Sequence, residues 1–272
     1  MGIINATPDS FSDGAQLEQA GSASFRLDLD KALSRAEAMV NEGAIFIDVG
    51  GESTRPGAAE VSEQEELNRV IPLIAAIHSR LDVCISVDTS TPAVMREAIS
   101  QGAVLINDVR ALKAPGALEA AADSSAAICL MHMRGKPSTM QQSIAYESVV
   151  TEVFDFLSER MEACQNAGIA RSRILIDPGF GFGKTVAHNY SLLKNLPRFA
   201  ELEAPLLIGV SRKSMIGEVV QRTVDQRLAG SIAATVLALR GGARIIRTHD
   251  VAATMDAIRV NSAYSDAEQN SI

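Results

Sequence analysis

The chain has 272 residues and a formal net charge of −8; 47% of it is hydrophobic, yet it contains no Trp and only 4% aromatic residues. That composition supplies an ample aliphatic core, and the acidity argues against nucleic-acid or anionic-membrane partners, which both need a basic face. A small anionic substrate is still allowed, because a basic pocket can sit within an acidic surface.

In chain order, short apolar runs of strand character begin near residues 1, 45, 83, 104, 127, 173, 205 and 244, and each leads to a polar residue. MGIIN closes on Asn5, and IFIDVG leads to Glu52 after a stop at Gly43. Ser62 with Glu65 has capping-box spacing ahead of a helix through Ile71 and Ile77, after which VCISVDT carries Asp88. Pro92 fits the first position of the next helix and Gly102 its end, before VLINDV presents Asn107. AICLMHM ends on His132. A stripe at Val149, Val150, Val153, Phe154, Leu157 and Met161 then predicts a helix over about 146–167, closed by Gly168. RILIDP carries Asp177, PLLIGVS leads to Lys213, and the apolar run from Ala229 to Leu239 reads as a buried helix. RIIRTHD brings Arg247 and His249, two positions apart and so on one side of an extended chain.

Eight βα units with no hairpin signal predict a single (β/α)8 TIM barrel over residues 1–263, followed by a polar tail over 264–272. The polar residues at the strand ends then form an active site at the C-terminal mouth. A doubly wound open sheet is the structural alternative; it usually has fewer strands and a Gly-rich turn after the first. The loops after Thr7 and Gly50 are long, as functional lids often are. No run approaches the ~20 apolar residues of a membrane span. Met1 enters the first strand without a basic segment or cleavage site, so a cytoplasmic location is expected. Cys84, Cys129 and Cys164 share no metal-ligand spacing and read as buried, reduced thiols.

The strand-end residues sort by chemistry. Asp88, Asn107 and Asp177 suit a flat heterocycle with adjacent N–H donors, such as a 2-amino-4-oxo pyrimidine edge, with Lys213 donating to its carbonyl. Any one buried Asp alone is as readily a local hydrogen-bonder. Arg55, Arg247, His249 and the Ser211–Ser214 turn favour a phosphate or pyrophosphate, with Asn5 as a neutral oxygen donor. Magnesium commonly takes one or two protein oxygens beside substrate phosphate, so one Asn suffices. A surface salt bridge is the rival reading for Arg247, and helix capping for His249. The run from Asp177 to Thr185 imitates a nucleotide P-loop, but Gly179 stands one residue too close to Gly183-Lys184-Thr185. Its glycines read instead as letting backbone approach a flat ligand, with Phe180 or Phe182 as one wall and Lys184 as a peripheral charge. His132 reads as a packing or hydrogen-bonding residue.

In the segments MGIINATPDSFSDG, DVGGESTRPGA, ISVDTS, INDV, CLMHM, DPGFGFGK, GVSRKSMIG and IIRTHD the chain resembles the dihydropteroate synthases, the folate-pathway enzymes inhibited by sulfonamides. The segments run in family order from Met1 to about Val260. ISVDTS and INDV are weak alone; the loop-one and GGESTRPGA segments are highly specific. The resemblance implies condensation of 6-hydroxymethyl-7,8-dihydropterin pyrophosphate with p-aminobenzoate, giving 7,8-dihydropteroate and pyrophosphate. It implies that Asp88, Asn107, Asp177 and Lys213 hold the pterin and that Asn5 contacts magnesium. Thr54, Arg247 and His249 would meet the pyrophosphate-bearing substrate. Phe11, Arg55, Pro56, Phe182 and Ser214 would shape the p-aminobenzoate site, with Asp9 and Asp13 on a closing loop. A homodimer is implied as well. Loop one departs from the family in reading Asp13-Gly14-Ala15 where Gly-Gly is usual, which implies a stiffer hinge. A pterin-barrel methyltransferase should lack the GGESTRPGA, SRKS and Arg-x-His sets together. A non-catalytic pterin-binding barrel should show damaged loops, and both loop motifs are intact.

Overall fold

The computed structural model describes residues 1–7, 17, 27–53, 61–135, 140 and 144–267. Eight parallel strands lie side by side in chain order: β1 (Gly2–Asn5), β2 (Phe46–Gly50), β3 (Cys84–Asp88), β4 (Leu105–Asp108), β5 (Ala127–Met131), β6 (Ile174–Asp177), β7 (Leu206–Ile208) and β8 (Ala243–Ile246). The first and last strands also approach each other. Gly2 bridges to Thr248 in parallel sense, and the Thr248 amide donates to the Met1 carbonyl at 3.0 Å.

The connections are helical. They are α1 (Leu29–Asn41), α2 (Glu63–Arg80), α3 (Pro92–Ser100), α4 (Ala117–Ala122), α5 (Val149–Asn166), α6 (Val186–Lys194), α7 (Ser214–Val220), α8 (Leu228–Arg240) and α9 (Val251–Ala267). Local chemistry explains their ends. The Ser62 hydroxyl accepts from the Glu65 amide at 3.3 Å to start α2, a cap contributing about 1 kcal/mol. Pro92 opens α3, and Gly43, Gly102 and Gly168 turn the chain at positive φ just past helix ends. The expected start of the tail, Tyr264, falls inside α9, and the Arg240 guanidinium lies 4.5 Å over its ring.

Strand alternation sorts side chains into two layers. Ile4, Ile47, Val49, Ile85, Val87, Ile106, Ile128, Ile174, Ile176, Leu206 and Ile208 point outward and pack with the helices into the main core. The opposite face carries a much smaller cluster of Leu105, Cys129 and Leu207, ringed by Met1, Phe46, Ala127, Leu175 and Ile245. Helix α8 differs from expectation: it buries one narrow stripe, Ser231, Ala234, Thr235 and Ala238, while Leu228 and Leu237 are exposed. The stripe is made of small residues, and of the large apolar ones Leu239 still packs, partly buried, against the main core. Among the cysteines, Cys129 and Cys164 are buried as expected, but Cys84 is exposed.

Candidate active site

The inner face of the sheet turns polar at its C-terminal end. Asn5, Gly50, Asp88 and Asn107 are register neighbours across β1 to β4, so they form one inward-facing row. Gly50 leaves a gap between Asn5 and Asp88: a Cβ there would stand 3.4 Å from the Asp88 Cβ. One layer below, Asp48 pairs in register with Ser86. Asp48 is fully buried and accepts from the Ser86 hydroxyl at 2.5 Å, the Asn107 amide at 3.3 Å and the Arg247 Nε at 2.6 Å. The other arm of Arg247 donates to Asp88 at 2.8 Å.

Arg247 therefore belongs to the carboxylate group, where the sequence pairs it with His249 as an anion site. Its ion pair lies in the interior rather than on the surface. Burial opposes its charge, yet Asp48 and Asp88 together hold its pKa above the usual guanidinium range. Asp88 is pushed up to about 7, because burial and the nearby Asp48 and Asp108 outweigh the attraction of Arg247. The His249 Nδ1 lies 3.0 Å from the Ser211 hydroxyl, and its carbonyl accepts from Arg35 at 3.1 Å.

The rest of the mouth comes from β5 to β7. Asp177, closing β6, is buried and accepts from the Gly179 amide at 2.7 Å. Burial raises its pKa against the pull of Lys213 and Lys184. Lys213 donates to the Phe180 carbonyl and lies 4.6 Å over the Phe182 ring. Burial lowers its pKa to about 8, although Asp177 opposes the shift. Ser214 opens α7 on the exposed side.

The loop after β6 corrects two expectations. Its three glycines adopt φ +71°, +83° and +61°, and two of them, Gly179 and Gly183, pack closely on the backbone that follows β5. A Cβ on Gly179 would lie 1.9 Å from the His132 carbonyl oxygen, and one on Gly183 would lie 2.5 Å from that of Arg134. Phe180 is fully buried, so of the two aromatic walls only Phe182 reaches the mouth. Lys184 is no peripheral charge: it is 4% exposed and donates to Gly179, Phe182 and His132. His132 has the hydrogen-bonding role expected of it.

A further network ties neighbouring loops together behind the mouth. Glu66 of α2 accepts from the Thr89 and Thr91 hydroxyls, each at 2.6 Å. Asp108 accepts from the Ser90 hydroxyl and from the Arg110 and Leu112 amides, and Arg110 forks onto Glu52 at 3.0 and 3.2 Å. Glu52, at the end of the second run, is thus engaged in holding loops.

Of the predicted site residues, Asn5, Asp88, Asn107, Asp177, Lys213, Arg247 and Phe182 lie at this mouth, with His249 and Ser214 at its edge. Asp9, Phe11, Asp13, Thr54, Arg55 and Pro56 lie outside the described residues. Sequence reasoning missed Asp48, Ser86 and Gly50. The signal was present: Asp48 stands two residues before Gly50, and Ser86 two before Asp88, which places each pair on one face of its strand.

No three His, Cys, Asp or Glu side chains among the described residues cluster closely enough to hold a metal. Asn5 offers one amide oxygen at the mouth, a donor set that fits magnesium keeping waters and substrate phosphate as its other ligands, and does not fit a protein-caged ion.

A parallel eight-stranded sheet whose polar mouth combines paired carboxylates, an amide and a lysine suits an enzyme that binds a small polar substrate, and the family described as "Pterin binding enzyme" matches residues 1–249. The dihydropteroate synthase of Escherichia coli K12 is 53% identical over 270 residues, covering 99% of this chain and 93% of that protein. The Yersinia pestis dihydropteroate synthase solved with a sulfonamide drug superposes with a TM-score of 0.93 at 51% identity, covering 98% of this chain and 94% of that one. The Xanthomonas albilineans enzyme in complex with 7,8-dihydropteroate gives 0.85 at 46% identity, with 97% and 92% covered. The chain belongs to the dihydropteroate synthases.

Proposed function

We propose that this chain joins the exocyclic methylene of 6-hydroxymethyl-7,8-dihydropterin pyrophosphate to the amine of p-aminobenzoate. The observation that carries the reading is the convergence of Asp88, Asn107, Asp177 and Lys213 on one mouth, in a chain at 51% identity to a synthase that binds a sulfonamide drug. Asp88 and Asp177 would accept the pterin N–H groups, Asn107 would bond its edge, and Lys213 would donate to the ring carbonyl. The methylene C–O bond breaks and its electron pair leaves with pyrophosphate. The arylamine lone pair then forms the C–N bond and the nitrogen sheds a proton. No protein nucleophile is needed. The protein's part is to orient the pterin, stabilise the departing anion and keep water from the cation.

Arg247 and His249, with Thr54, are assigned to the pyrophosphate-bearing substrate. The two carboxylates already on Arg247 make it a positioner of Asp88 as much as an anion ligand. Asn5 would hold magnesium, which when bound offsets the negative charge of the pyrophosphate. Phe182 and Ser214, with Phe11, Arg55 and Pro56, would shape the p-aminobenzoate site, and Asp9 and Asp13 would act from the closing loop. The fold is a closed (β/α)8 TIM barrel, a reading supported by the parallel bridge between Gly2 and Thr248. We assign the barrel domain to residues 1–263, with α9 carrying it a further turn to Ala267. Exposed Val219 and Val220 of α7, Leu228 and Leu237 of α8, and Val260 and Tyr264 of α9 support a homodimer formed through that apolar face. A cytoplasmic location accords with the fact that no helix among the described residues is long and apolar enough to cross a membrane.

The test is direct. Purified protein with the pterin pyrophosphate, magnesium and p-aminobenzoate should release pyrophosphate and form dihydropteroate, and a sulfonamide should compete with p-aminobenzoate. No product from folded protein would sink the assignment.

A further inference from the structure

Lys184 and His132 form a buried pair that the reaction does not use. The Lys184 ammonium is 4% exposed, and none of the ion pairs among the described residues includes it. Burial pulls its pKa well below the usual lysine range, against the attraction of Asp177, and burying such a group is costly unless its donors are satisfied. Here all three are: Nζ donates to the Gly179 carbonyl at 2.8 Å, the Phe182 carbonyl at 3.1 Å and the His132 Nδ1 at 2.9 Å. For that last bond His132 must be neutral, and burial beside Lys184 lowers its pKa to about 2.

These contacts join others in holding the segment: the Gly179 amide donates to Asp177 and the Gly181 amide to Asn189, each at 2.7 Å, and Phe180 is fully buried. Gly179, Gly181 and Gly183 all adopt positive φ, and three glycines make the unbound loop entropically expensive to order. Two of its carbonyls, Gly179 and Phe182, are turned inward onto Lys184. The same loop also meets Lys213, which donates to the Phe180 carbonyl, lies over the Phe182 ring at 4.6 Å and passes within 3.3 Å of a Cβ position on Gly181. Two lysines thus hold one loop by three of its carbonyls.

We propose that Lys184, with His132 as its acceptor, is a positioning residue that folds the loop after β6 so that Phe182 and the Phe180 carbonyl set the place of Lys213 in the substrate mouth. The proposal rests on the assignment of Lys213 and Phe182 to substrate binding. Lys184 itself never touches substrate.

The test compares Lys184→Met, which keeps length but removes all donors, with Lys184→Gln, which keeps an amide donor group. The chain contains no Trp, so F182W gives a unique fluorescent report on the loop, read with and without K184M. K184M is expected to raise the KM for the pterin pyrophosphate at least tenfold while kcat falls less than threefold. K184Q should fall between it and the starting protein. Adding K184M to F182W should shift the emission to the red at temperatures well below the melting midpoint. Folded K184M with an unchanged KM overturns the proposal, as does an unshifted F182W emission. If K184M does not fold, K184Q decides alone: a raised KM with kept kcat supports the role, and an unchanged KM refutes it. Activity of the unsubstituted protein in the same assay separates these outcomes from failure of the assigned reaction.

Discussion

The two halves of the mouth solve the same problem by different physics. On the side built from β2, β3, β4 and β8, buried carboxylates are balanced by a guanidinium: Arg247 spans Asp48 and Asp88, and Asn107 and Ser86 complete the hydrogen bonds of Asp48. On the β5 to β7 side, two lysines whose pKa burial lowers, Lys184 and Lys213, bond mainly to peptide carbonyls and to a neutral imidazole. Ion pairs fix side chains to strands, which are already rigid. Charge–dipole bonds fix a glycine-rich loop, which is not. The difference places the tolerance to substitution: the first half should fail through loss of a charge, the second through loss of a backbone shape.

The largest break in this contrast is Arg247→Met. It leaves Asp48 and Asp88 buried and close together without a cation, and breaking such a pair typically costs about 3–5 kcal/mol. Chemical denaturation should show a loss of that size, together with loss of pterin binding. Adding Asp48→Asn removes one of the stranded charges and should recover part of the stability but not the binding. A single R247M variant as stable as the starting protein would contradict the ion-pair account. The matching break in the other half is Gly179→Ala. A methyl group there meets the His132 carbonyl and forces a side chain into left-handed backbone, for a combined loss of about 2–3 kcal/mol. No charge changes, so the ionic-strength dependence of stability should stay as it was; a stability unchanged by G179A would mean the loop is not held against β5.

Much of this was legible in the residues. Each strand was found within one or two residues because strands buried on both faces are continuous aliphatic runs between helix signals, and Pro92, Gly102 and Gly168 mark the ends of those helices. Asp88, Asn107 and Asp177 were legible because each interrupts such a run near its end. What was not legible are the pairings. Arg247 meets Asp48 and Asp88 across separations of 199 and 159 residues, and no local pattern encodes which carboxylate an arginine will reach. The same holds for Lys184, whose sequence setting suggests an exposed loop residue and whose burial depends on His132, 52 residues away. Helix α8 misled for a related reason. Its composition is apolar all round, and only assembly decides which stripe faces the strands.

The smallest expected effect is also the one that separates the halves without altering a residue. On the proposed assignment, pterin N–H groups would need Asp88 as a carboxylate, and the pterin carbonyl would need Lys213 as an ammonium. Asp88 is raised from an ordinary 3.8 to about 7, because its burial outweighs Arg247, and Lys213 is lowered from 10.5 to about 8. Affinity for the pterin substrate should therefore rise with pH towards 7, where Asp88 ionises, and fall above 8, where Lys213 loses its proton. Each limb approaches tenfold per pH unit, about 1.4 kcal/mol. For folding the sign runs the other way for Asp88: a native pKa above the unfolded one means the native state holds more protons, so its contribution declines from about pH 4 to 7. Stability and binding should then move oppositely across that window. Calorimetric titration from pH 5 to 9 reads both limbs. Asp88→Asn should flatten the acid limb and spare the alkaline one, and Lys213→Met should do the reverse. A bell that D88N leaves intact would assign the acid limb to Asp177, and the carboxylate that first meets the pterin would then stand beside the lysines rather than beside Arg247.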